Sequence, residues 1–97
     1  MIPLAGASLE WEKGGLARFV FAKDDAVALI STEPSPPGSR IAGTLLFEPR
    51  SSVRIKVHAC RRESDGTFRL EGRALDLTRE MRARIVALAS GLDSESA

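Results

Sequence analysis

The 97-residue sequence is poor in the residues that most often announce chemistry. It has one cysteine, one histidine, one tryptophan and no tyrosine. A single cysteine, Cys60, cannot close a disulfide within the chain, which fits a reducing compartment. One cysteine and one histidine are also too few for a closed zinc site of the usual nitrogen and sulfur type. No apolar run approaches the roughly 20 residues that a membrane-spanning helix needs, so no membrane insertion is expected. The opening residues, Met1-Ile2-Pro3-Leu4-Ala5-Gly6, lack the basic flank and apolar stretch of a secretory signal, and a cytoplasmic location is expected. A net charge of +1 gives no global pull toward nucleic acid or acidic lipid.

What the chain does have is ordinary globular composition, 43% hydrophobic and 28% charged, in a length that suits one domain. The domain is expected over residues 1–92, with 93–97 as a polar tail. Charge is unevenly placed. Residues 1–48 carry four Lys/Arg against six Asp/Glu, and residues 49–97 carry ten against seven. Basic surface is therefore expected in the second half.

Hydrophobic alternation marks six strands. Ser8 to Glu12 places Leu9 and Trp11 inward, and Lys13-Gly14-Gly15 supplies a tight turn because glycine tolerates positive φ. Leu16 to Ala22 follows, with Phe19 and Phe21 read on one face. Asp24-Asp25 is a turn, and Ala26 to Ser31 is apolar enough for a buried strand. Glu33 to Gly38, with three prolines, is a connecting loop, since proline removes the ladder donor. Ile41 to Glu48 is the fourth strand, with Gly43 marking a bulge or a close backbone approach. Pro49 to Ser52 turns the chain.

The fifth strand, Val53 to Arg61, sets Val53, Ile55, Val57 and Ala59 against Arg54, Lys56, His58 and Cys60. The sixth, Phe68 to Leu75, is joined to it through Ser64-Asp65-Gly66. It sets Phe68, Leu70, Gly72 and Ala74 against Thr67, Arg69, Glu71 and Arg73, the second set expected to face solvent. Thr78 is a helix N-cap, Glu80 complements the helix dipole, and Met81, Ile85, Leu88 and Leu92 form one apolar stripe ending near Gly91. The stripe is expected to cover an open end or flank of a small sheet core. The pattern alone thus gives a small, mostly β domain with one C-terminal helix.

Chemistry-bearing groups do not converge. His58 alternates with Arg54 and Lys56 on a solvent face, where an ordinary surface histidine outweighs a catalytic one. Cys60 beside Arg61 and Arg62 is better explained as a structural thiol than as a reactive one. Asp24-Asp25 fits a solvated turn better than a metal or acid-base pair, and no stretch reproduces a phosphate-binding loop. No enzymatic activity and no cofactor are expected.

The basic set Arg54, Lys56, Arg61, Arg62, Arg69 and Arg73 is the one patch candidate. Glu63, Asp65 and Glu71 interrupt it, and no aromatic is expected on that face to stack a base, so a protein partner fits better than nucleic acid. The candidate partner surface comprises these residues with His58 and with Arg79 and Arg82 on the exposed side of the helix, where Arg84 is also expected.

From about residue 8 to residue 90, and most clearly from Pro36 to Leu88, the chain resembles a PilZ domain. The resemblance rests on Pro36-Pro37-Gly38 leading into a strand, on the long second-half hairpin, on Phe68-Arg69-Leu70-Glu71-Gly72-Arg73-Ala74-Leu75-Asp76-Leu77, and on the helix after it. It implies that the strands form a small antiparallel six-stranded β-barrel with one C-terminal α-helix, the scaffold on which that family reads cyclic di-GMP. The family's ligand motifs are missing. Met1 to Ala7 holds no arginine where the family has two, separated by three residues. Where it has Asp/Asn-x-Ser-x-x-Gly, this chain reads Phe21-Ala22-Lys23-Asp24-Asp25-Ala26. Without the arginines there is no bidentate phosphate and guanine clamp. The resemblance therefore implies a degenerate PilZ-like domain that does not take cyclic di-GMP in the usual way. Its partners would be proteins of a bacterial motility, type IV pilus or cell-polarity system. The open alternatives are a cyclic di-GMP receptor with an unconventional site, using Arg18, Arg40 or the hairpin arginines, and a small barrel that binds nucleic acid.

Overall fold

The structure, a computed structural model, describes Leu4 and residues 6–90 of the chain. Within them lie six strands and one helix: β1 (Leu9–Trp11), β2 (Leu16–Lys23), β3 (Ala26–Ser31), β4 (Arg40–Leu45), β5 (Ser52–Arg62), β6 (Phe68–Leu75) and α1 (Arg79–Ala89). The strands close into an antiparallel barrel in the order β1-β2-β3-β6-β5-β4. The expected fold class is the one observed. Gly91, Leu92 and the tail lie outside the described residues.

Local sequence chemistry explains the elements. Gly14 and Gly15, with φ of 105° and 104°, make the tight β1–β2 turn. Gly43 answers the expectation of a close approach: a Cβ there would stand 2.8 Å from the Glu10 carbonyl oxygen, where β4 crosses β1. In the β5–β6 turn the Asp65 carboxylate accepts from the Thr67 hydroxyl at 2.6 Å and from its amide at 3.0 Å. Those two bonds hold the Asp65 carboxyl below the usual carboxylate range. Thr67, expected to face solvent, is instead buried. Thr78 caps α1 by accepting from the Met81 amide.

The barrel interior is filled by Leu9, Trp11, Phe19, Leu29, Leu45, Val53, Ile55 and Leu70, joined by Ile85 from the helix. Helix α1 packs against β2, and Met81, Leu88 and Leu77 lie half-buried against the same cluster. Ile85 is 1% exposed, so the apolar stripe closes the core as expected.

Two strands depart from simple alternation. In β2, Phe19 faces Leu29 while Phe21 faces Ala28, so Val20 is an extra residue and a β-bulge. The parity of the strand inverts there. Phe19 stays inside at 2% exposure, whereas Phe21 turns outward at 48%. The two phenylalanines expected on one face lie on opposite faces.

In β5, Val57 faces Gly72 while Ala59 faces Glu71, which makes His58 the extra residue. Ala59, expected inside, is exposed, and Cys60, expected outside, is half-buried against the core. Coiling a short sheet into a six-stranded barrel needs sharp local bends, and bulges supply them. Gly72 accommodates the second one. A Cβ at that position would lie 2.1 Å from the Lys56 carbonyl oxygen, an impossible contact.

Strand β4 ends at Leu45, not at Glu48. Beyond it, Phe47 and Pro49 turn their carbonyls to the helix, where Arg84 donates to them at 3.2 and 2.9 Å. Arg84 is therefore a half-buried tie between α1 and the β4–β5 loop, and not part of an exposed helix surface.

Candidate functional site

Sheet register decides which side chains share the outer face. The partners Arg40, Lys56 and Arg73 lie side by side on β4, β5 and β6. Arg61 and Arg69 are likewise direct cross-strand neighbours on β5 and β6. Each arrangement sets like charges opposite one another, which costs tenths of a kcal/mol per pair in an isolated sheet.

Acidic neighbours relieve part of that repulsion. Arg54 pairs with Asp76, Arg69 with Glu71 at 3.0 Å, and Arg61 with Glu63 at 3.8 Å. Asp25, in the β2–β3 turn, receives Arg82 at 2.9 Å and Arg73 at 3.7 Å. The Arg82 hydrogen bonds, with Arg73 close by, hold the Asp25 carboxyl below the usual carboxylate range against the opposing effect of burial. Arg40, Lys56 and Lys23 make no ion pair among the described residues.

Of the sequence-predicted surface residues, Arg54, Lys56, His58, Arg61, Arg69 and Arg73 share the outer side of β5 and β6. Arg62 sits beside them, at the end of β5, opposite Phe68. Arg79 is exposed at the start of α1, and Arg82 is half-buried in its pairing with Asp25. The helix arginines therefore reach the hairpin face only through Asp25, which Arg82 shares with Arg73.

The residue missed from sequence is Phe21. Turned out by the bulge in β2, it overlooks Ala26 and Ala28 on β3 and the backbone of Gly72 on β6. His58, the bulged residue of β5, borders the same hollow from the opposite side, with Arg69, Glu71 and Arg73 around it. The expectation that no aromatic stands beside the basic face is therefore corrected. One signal pointed this way: β3 is apolar on both faces, and in a small barrel its outward alanines need a cover.

Among the described residues there is no group of three or more His, Cys, Asp or Glu side chains placed to hold a metal ion. Nor is any helix among them long and apolar enough to cross a membrane. No protein-family model, curated protein or solved structure matches the chain.

Proposed function

We propose that the chain is a non-enzymatic, cytoplasmic, degenerate PilZ-like adaptor that binds protein partners of a bacterial motility, type IV pilus or cell-polarity system. In this reading it does not take cyclic di-GMP in the usual way. The observation that carries it is the outer face of β5 and β6, where arginines and a lysine are stacked laterally between their own acids. Such a broad mixed-charge face suits electrostatic recognition of another protein surface, which sets orientation and on-rate. The barrel and helix order is the one that the resemblance implies. The segment aligned with the missing ligand motif places Phe21 and Lys23 outward and ties Asp25 to two arginines, an arrangement that offers no bidentate clamp.

The experiment is affinity capture with the wild-type chain and with an Arg61→Glu, Arg69→Glu double variant, followed by reconstitution from purified components. A partner identified with the wild type, lost from the variant and rebinding in pure form supports the reading. Capture of the same proteins by both chains overturns the surface assignment. Calorimetric heat from cyclic di-GMP at micromolar concentration overturns the adaptor reading in favour of an unconventional nucleotide site.

A further inference from the structure

Two bulges that bend the barrel also shape one place on its outside. Val20 in β2 and His58 in β5 are the extra residues, and β3 and β6 run between those strands. By inverting parity, the first bulge stands the Phe21 ring on the outer surface, and the second puts the His58 ring beside the same two strands. The floor between them is made of Ala26, Ala28 and the Gly72 backbone, so no large side chain fills it. The result is a trough of about 430 Å³ walled by two rings, which continues past Ala26 toward Asp24, Asp25 and Arg73.

The rim has a definite charge character. Glu71 is neutralised by Arg69, and Asp25 by Arg82 and Arg73. Of the rim residues, Lys23 and Asp24 make no ion pair among the described residues; nor do Lys56 and Arg40, which lie one and two strands beyond the rim residue Arg73. Lys56 stands next to Arg73 on one side and Arg40 on the other, in a row of three like charges. An acidic group docked on that row removes a repulsion the sheet otherwise carries. A half-exposed phenylalanine above a floor of alanines offers an anchor pocket for a bulky apolar side chain.

We propose that this trough binds a peptide segment of a partner protein, with one large apolar side chain seated between Phe21 and His58 and an acidic residue on the Arg40–Lys56–Arg73 row. The proposal rests on the adaptor reading and names the contact surface and the chemistry of the partner. Acids alternate with cations around the trough, Asp24 without an ion pair among the described residues and Asp25 and Glu71 within theirs. Such a mixed rim suits a peptide carrying a single acidic group better than the continuous run of phosphates in a nucleic-acid backbone.

The test uses the full chain as bait for a random 12-residue peptide library displayed on phage, with an enriched peptide then synthesised for titration. Enrichment of sequences that combine Asp or Glu with a single Trp, Phe, Leu, Ile or Met is expected. Phe21→Ala and Lys56→Glu should each weaken the synthetic peptide by tenfold or more while leaving the circular dichroism melt unchanged, since both side chains lie outside the core. Peptides that bind Phe21→Ala as tightly as wild type, or a library that yields no enrichment, overturn the proposal. If the peptides are instead lost from an Arg54→Glu, Arg61→Glu variant alone, whose side chains lie outside the trough, the trough is wrong and the adaptor reading stands. Retention of a labelled single-stranded oligonucleotide at low salt, lost with Phe21→Ala, replaces the peptide by nucleic acid.

Discussion

The two ends of the barrel are closed by different means. At one end the helix α1 drops a single apolar side chain, Ile85, into the core and is tied at its sides by Arg82 to the β2–β3 turn and Arg84 to the β4–β5 loop. At the other, buried polar groups of the chain itself form the lid. The Trp11 indole donates to the Ser31 hydroxyl at 2.8 Å, Ser31 donates to the Glu33 carbonyl at 2.7 Å, and the Leu16 amide donates to the Thr32 hydroxyl at 3.0 Å. Lys13 reaches over to Pro34 and Ser35. The helix end relies on removing apolar area from water. The loop end relies on pairing the buried donors of Trp11 and Ser31, and each mode fails in its own way.

The largest effect is expected at the helix end. Ile85→Asp buries a carboxylate with no partner, which should destabilise the domain by about 4 kcal/mol or more and abolish a cooperative melt by circular dichroism. A variant that melts at the wild-type temperature would make α1 an exposed docking element and not a lid. At the loop end, Ser31→Ala leaves the Trp11 N–H and the Glu33 amide without their acceptor. Roughly 2 kcal/mol is expected by urea denaturation. If that loss instead equals the Ile85→Asp effect, the two ends do not differ in kind.

The ties of the helix should be weaker than its plug. Arg84→Ala removes hydrogen bonds to the Phe47 and Pro49 carbonyls, for about 1 kcal/mol, whereas Arg79→Ala, exposed and unpaired among the described residues, should be silent in the same melt. Equal melting temperatures for the two variants would show that the β4–β5 loop does not depend on Arg84. The smallest effect is in pH. Asp25 has a depressed carboxyl pKa when folded, so the stability it contributes is complete above the ordinary aspartate value. It is lost as pH falls below about 4. Asp25→Asn should therefore flatten the acid limb of the melting curve relative to wild type, and an unchanged limb would remove the Arg82 tie from the account.

Where alternation is unbroken, sequence and structure coincide. Val53, Ile55 and Val57 point inward as read, and Leu70, Gly72 and Ala74 repeat the pattern across the hairpin. The cap at Thr78 and the stripe through Ile85 were legible because a helix period and a hydroxyl at its start are local properties. The bulges were not. Phe19-Val20-Phe21-Ala22 is apolar at every position, so an inserted residue leaves no trace in the pattern, and Ala59-Cys60 can exchange faces without a visible penalty. Both misplacements follow from that. Since the trough is made by those same bulges, the cations of the hairpin face could be named from sequence, but the aromatic beside them could not.

The order in which the strands are wired carries a consequence for how the chain folds. Strands β5 and β6 meet across a short turn, and so do β2 and β3. The seam between those hairpins joins residues as distant in sequence as Ala26 and Arg73, and the last seam joins β1 to β4. Loop-closure entropy opposes such late seams until neighbouring contacts are in place, so the hairpins should form early and the ring should shut last. Leu9→Ala, on β1 opposite Leu45 across the β1–β4 seam, should then speed unfolding more than it slows folding, whereas Leu70→Ala, opposite Cys60 in the β5–β6 hairpin, should slow folding.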